Sequence, residues 1–188
     1  FALRGRCEMF RVNLKSMAAA HQLAQGTNLR GHLVWAKQPH FKRLLTIRNF
    51  PASDEDQDVL QFFREHHDPT IFMDRHAMKR AEFRKIISPL VRSGHLIQDY
   101  RGDFRTVAPI SNTDLWEVKS KYLRELVEQY PVITLKQVER LAGSAFSAEE
   151  ISDVMHQFEE DGTLIKGFLV DDLQDICWGR QEILENLD

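Results

Sequence analysis

The stretch Gly94-His95-Leu96-Ile97-Gln98-Asp99-Tyr100-Arg101-Gly102-Asp103-Phe104-Arg105-Thr106-Val107 decides the fold, because its plan returns later in the same chain. The second copy reads Gly162-Thr163-Leu164-Ile165, then an acidic tip at Asp171-Asp172, then Ile176-Cys177-Trp178. An amphipathic segment leads into each copy, with Phe83, Ile86, Ile87 and Leu90 at helical spacing before the first. A glycine after such a segment suits the left-handed residue that ends a helix, and two short apolar runs around a polar tip suit a hairpin. Self-similarity of this kind marks repeated units of one architecture. The expected fold is mainly α with small β-hairpins (α+β), built as tandem winged-helix modules.

Working outward, we read three segments. Residues 1–50 form a partial N-terminal winged-helix-like module: helical through Met17–Leu23, extended from Leu29 to Ala36, helical after Pro39 with Phe41, Leu44 and Leu45 on one face. Residues 51–110 form a winged helix behind the linker 51–56. Its helices are expected over Asp58 to about His66, Asp74–Ala81 and Glu82–Arg92, with a small strand at Ile71-Phe72 and a kink or early end at Pro89. Residues 111–188 form an acidic winged helix. Helices are expected over Asp114–Tyr130 and Leu135–Ala142, a strand at Ile133, and a third helix from about Ala148 to Asp161, started by a capping box at Ser147 and Glu150.

Composition limits the function classes. The 188 residues, 43% hydrophobic, suffice for a real core in one large or two to three small units. Cys7 and Cys177 lie too far apart in sequence to suggest a disulfide framework or a zinc site. No apolar run reaches the roughly 18 residues of a membrane span, and the N-terminal segment lacks an apolar signal core. The expectation is a soluble protein with no membrane partner, cytoplasmic, or nuclear if eukaryotic.

Charge is distributed unevenly. Residues 1–50 hold nine Lys/Arg against Glu8 alone (+8), residues 51–110 hold nine against ten (−1), and residues 111–188 hold seven against seventeen (−10). One end is suited to phosphates and the other to something else; an ordinary solvated surface is the alternative. Candidate contacts to DNA or RNA, within residues 1–110, are Arg30, Lys42, Arg43, Lys79, Arg80, Arg84, Lys85, Arg101 and Arg105. A basic helix and a basic wing together can reach a groove and the backbone phosphates. Residues 111–188 are expected to meet a protein partner or a second copy, with Glu149, Asp153, Asp171 and Asp172 as candidates.

Other clusters read as structural. His66, His67, Asp68, Asp74 and His76 lack a metal-ligand spacing, so no metal is expected. Arg101-Gly102-Asp103 reads as a turn, and Trp35, Trp116 and Trp178 as packing. Without a Gly-rich phosphate loop, a nucleophile elbow or paired cysteines, no catalytic residue and no cofactor is expected, and the reading leans away from an enzyme.

Leu29-Arg30-Gly31-His32-Leu33-Val34, with Phe41-Lys42-Arg43-Leu44-Leu45, resembles a segment of the AlkZ/YcaQ-like winged-helix family, related to alkylpurine DNA glycosylases. Residues 58–107 are similar to that family's second winged helix. Residues 117–187 resemble the winged helices near the C-terminus of Lhr-type helicase-related proteins. The resemblance implies DNA binding by stacked winged helices and, in enzymatic members, base excision by a Gln-x-Asp or Gln-x-Gln pair. Neither motif occurs here, and His32 stands where that family usually has Thr. Three expectations follow: a non-catalytic nucleic-acid-binding region of a repair or helicase-type protein, a protein-assembly or dimerisation module, and a fragment of a DNA glycosylase.

Overall fold

A computed structural model describes residues 16–168 and 175–180. It is a mixed α/β structure with small antiparallel sheets, in two compact units, Phe1–Ser111 and Asn112–Asp188. Among the described residues, no helix is long and apolar enough to cross a membrane. Asp171 and Asp172 lie outside the described residues.

The described part of unit 1 opens on helical residues 16–20 and the hairpin β1 (Ala24–Thr27) and β2 (Leu33–Ala36). Four helices follow: α1 (Gln38–Arg48), α2 (Asp54–Glu65), α3 (Pro69–Arg75) and α4 (Arg80–Ser93). A second hairpin, β3 (Leu96–Asp99) and β4 (Phe104–Thr106), closes the unit. The linker expected at 51–56 is shorter, since α2 starts at Asp54, and the sheet has the order β2-β1-β3-β4, so strands on both sides of residues 51–53 share one ladder, Ala24 opposite Asp99 and Gln25 opposite Gln98.

Period-2 alternation gives this sheet two faces. Ala24, Gly26 and Ile97 turn toward α1, where a Cβ on Gly26 would lie 2.5 Å from Phe41 Cε1 and 2.9 Å from Ile97 Cγ2. Leu96 and Phe104 turn the other way, into a core with Leu60, Phe62, Phe63, Phe72, Phe83, Ile87 and Leu90. Five phenylalanines pack there at edge-to-face or offset distances, such as 4.9 Å between Phe62 and Phe72 and 5.5 Å between Phe63 and Phe104.

Several local expectations fail: the helix expected over Asp74–Ala81 is instead the end of α3, non-helical residues 76–79 and the start of α4. Ile71-Phe72 is helical in α3, because the Asp68 carboxylate accepts from the Thr70 N–H and Pro69 occupies the first helical turn. What remains of the expected strand pairing is one bond, Phe104 N–H to His67 carbonyl at 2.8 Å. Residues 24–27, between the helix expected over Met17–Leu23 and the strand expected from Leu29, form β1. Pro89 sits inside α4 without ending it, and Gly94 does end it, at φ +94.

Unit 2 comprises α5 (Leu115–Val127), β5 (Val132–Thr134), α6 (Leu135–Ala142), α7 (Ala148–Glu160), β6 (Leu164–Gly167) and β7 (Cys177–Arg180). Its sheet order is β5-β7-β6, antiparallel throughout. Val118, Leu123, Ile133, Val138, Ile151, Val154 and Phe158 fill the core. The capping box expected at Ser147 forms: its hydroxyl accepts from Glu150 N–H, and the Glu150 carboxylate from Ser147 N–H at 2.8 Å.

Candidate nucleic-acid interface

Helix α4 presents two kinds of side chain. Phe83, Ile87 and Leu90 are buried, whereas Arg80, Arg84, Ser88 and Arg92, four residues apart, share an exposed stripe. The Glu82 carboxylate accepts from the Lys79 N–H at 2.9 Å, which starts the helix. The stripe forms one wall of a groove of about 800 Å³. Gln25, Thr27, Gly31 and Leu33 of the β1–β2 hairpin form the opposite side, with Gln98, Phe104, Thr70 and Met73 between. No Asp or Glu lines it. Arg80, Arg84 and Arg92 make no ion pair or side-chain hydrogen bond among the described residues.

Arg48 sets the groove's shape. Its guanidinium donates to Ser93 carbonyl at 3.0 Å, at the C-terminal end of α4, and to the Thr27 and Asn28 carbonyls at the end of β1. The Ser93 and Thr27 carbonyls end a helix and a strand, the Asn28 carbonyl also accepts from the Gly31 N–H at 2.9 Å, and a single cation reaches all three. Thr27 Oγ1 adds a bond to Val91 carbonyl at 2.9 Å. The hairpin is thereby pinned beside the helix.

The other face of the sheet bears a second cleft of about 760 Å³, with Lys37, Arg101 and Arg105 around Asp99. The two arginines are engaged. Arg105 stands 3.8 Å from Asp99, and Arg101 Nε donates to Tyr100 Oη at 3.0 Å with its guanidinium over that ring. The Tyr100 bond raises the Arg101 pKa further. Asp99 itself accepts from the N–H groups of Arg101, Gly102 and Asp103, which shapes the tip.

The sequence candidates therefore divide. Arg80 and Arg84 meet in the groove, and Arg101 and Arg105 meet at the second cleft. Lys79 and Lys85 are exposed on α4 but line neither; Arg30 sits exposed in the β1–β2 turn, and Lys42 and Arg43 lie on α1. Sequence reading missed Gln25, Gln98 and Arg48. Glutamine carries no periodic signal, and Arg48 serves carbonyls far away in sequence.

In unit 2 the acidic helix α7 is half neutralised. Lys119 Nζ lies 2.5 Å from Glu150, Arg124 lies 2.7 Å from Asp161, and Lys166 lies 3.5 Å from Glu159. Burial raises the Glu150 pKa, but the Lys119 and Ser147 bonds outweigh it and leave the carboxyl below its ordinary value. The Thr163 hydroxyl and the Arg124 guanidinium draw Asp161 down to about 2. Glu149 and Asp153 are exposed and make no ion pair among the described residues.

The histidines near residue 70 serve packing: His67 Nδ1 sits 3.1 Å from Phe63 carbonyl, and the His76 ring lies 4.5 Å from Phe72. No family model matches this chain, and no curated protein matches it significantly.

Proposed function

We propose that the chain is a tandem winged-helix protein that binds nucleic acid through unit 1 and docks protein through unit 2. In this reading it is a non-catalytic accessory region of a repair or helicase-type protein. The observation that carries it is the contrast between α4, whose Arg80, Arg84, Lys85 and Arg92 are exposed and unpaired among the described residues, and α7, where Glu149 and Asp153 occupy the exposed surface. Free cations on a helix release counterions when phosphates arrive, while free carboxylates repel them. The order helix, strand, helix, helix, hairpin in unit 2, with β7 between β5 and β6, supports the winged-helix reading there. In unit 1 the support is α2, α3, α4 and the β3–β4 hairpin, together with the AlkZ/YcaQ-like resemblance.

The test is a fluorescence-anisotropy titration of the whole chain with labelled DNA at several salt concentrations. Replacing Arg80 and Arg84 by Glu should abolish binding, and replacing Glu149 and Asp153 by Lys should leave it unchanged or slightly tighter. Loss of binding only in the second variant would reverse the assignment of the two units. The second reading, assembly through unit 2, is favoured by those same two carboxylates and predicts a change in oligomeric state on their replacement.

A further inference from the structure

We propose that the groove between α4 and the β1–β2 hairpin takes a single strand of nucleic acid and excludes the duplex. This rests on the nucleic-acid reading and narrows its ligand. An α-helix with its side chains is about 10–12 Å across and already fills a major groove about 12 Å wide. Here the cationic stripe of α4 does not stand clear. The hairpin lies against it, held by Thr27 to Val91 and by Arg48 to both elements. Helix and hairpin together are too broad to enter a major groove.

What remains accessible is a channel with the chemistry of an unpaired strand. Arg80, Arg84 and Arg92 span about 18 Å along the helix at 1.5 Å per residue, a row suited to successive phosphates. No carboxylate interrupts the row. Across the channel, Gln25 and Gln98 are paired in the β1–β3 register; Gln98 Nε2 donates to the Gly102 carbonyl at 2.9 Å, which leaves the Gln98 amide oxygen and the Gln25 amide to meet base edges. Leu33, 61% exposed, supplies apolar surface. Trp35 pairs with Gln25 across β1 and β2 and so shares its face of the sheet, half-buried on an edge strand two residues from the groove-lining Leu33. A cationic track beside an aromatic ring is how single strands are held without reading their sequence. An acidic peptide would use the arginines and could bond the amides, but it brings no base to stack on the indole.

The experiment uses the full chain and two probes, fluorescein-labelled oligo-dT of 15 nucleotides and a duplex of 15 base pairs, titrated between 50 and 200 mM salt (chosen to expose the counterion slope). The single strand should bind more tightly. Arg84→Ala with Arg92→Ala, both exposed positions, should flatten its salt slope by about 1.4 (about 0.7 per phosphate contact), roughly 20-fold in affinity near 0.1 M. Trp35→Leu should weaken single-strand binding about 5- to 150-fold, the worth of one stacked base, without changing the slope. Circular dichroism of each variant verifies the fold. Tighter duplex binding would overturn the single-strand inference and leave the nucleic-acid reading standing. Unchanged binding in both variants would also overturn it. Binding of poly-glutamate with no binding of either DNA would overturn both.

Discussion

At the scale of single residues, Gly26 and His95 are held by different physics. Gly26 is required by proximity, since a methyl group would collide with Phe41 and Ile97. Gly26→Ala should cost about 1–3 kcal/mol through overpacking, read as a lower urea midpoint with an unchanged m-value. His95 is 8% exposed, with Nδ1 2.8 Å from Ser93 Oγ. Burial lowers its pKa, opposed by a bond to the Phe50 backbone and by Asp56, with Arg48 adding to the lowering. The unfolded chain therefore takes up this proton at a higher pH than the folded one. The stabilisation is complete above the ordinary value of 6.5 and is lost as pH falls below it toward the depressed folded value. Urea midpoints measured from pH 8 to pH 5.5 should fall, and His95→Gln should flatten that dependence.

At the scale of elements, α4 is fixed at one end by a side chain from α1. Arg48→Ala would leave the Ser93 and Thr27 carbonyls without this donor, at about 1–3 kcal/mol for each group left buried and unpaired, while the Asn28 carbonyl keeps the Gly31 N–H. A thermal melt checks the loss, and Arg48→Lys, a compact cation without the fork, should restore only part of it. The helix itself is legible in sequence: Phe83, Ile87 and Leu90 recur at helical spacing, Gly94 stops them, and alternation in Leu96–Asp99 and Phe104–Thr106 marks the hairpin. Strand β1 is not. Its inward residues are Ala24 and Gly26, too small to produce an apolar alternation, and its identity comes from its partners Trp35 and Gln98. The groove was hidden for the same reason, since one wall is that strand. Residues 69–72 did carry a signal, Asp68-Pro69-Thr70, the start of a helix, and apolar Ile71-Phe72 masked it.

At the scale of the whole molecule, unit 1 has eighteen Lys/Arg against eleven Asp/Glu, and unit 2 seven against seventeen. The mean pI of about 6.3 hides this asymmetry. The chain should therefore be retained on immobilised heparin at pH 7.5 despite its net charge of −3, and passage through the column at low salt would count against a polyanion-binding unit 1. The sheet of unit 1 carries a different consequence. Its β1–β3 seam has two register pairs, Ala24 with Asp99 and Gln25 with Gln98, and four helices lie between its strands in the chain. Each hairpin is local and can form early, whereas a seam of such high contact order must wait for the intervening chain to collapse. In a refolding experiment, the pulse-labelled amides of Gln25 and Gln98 should gain protection in the slowest phase, whereas that of Asp99, which donates to the Asp103 carbonyl within the hairpin, gains it earlier. Affinity for the single strand should appear with the slowest phase, because until the seam closes one bank of the channel has nothing to stand against.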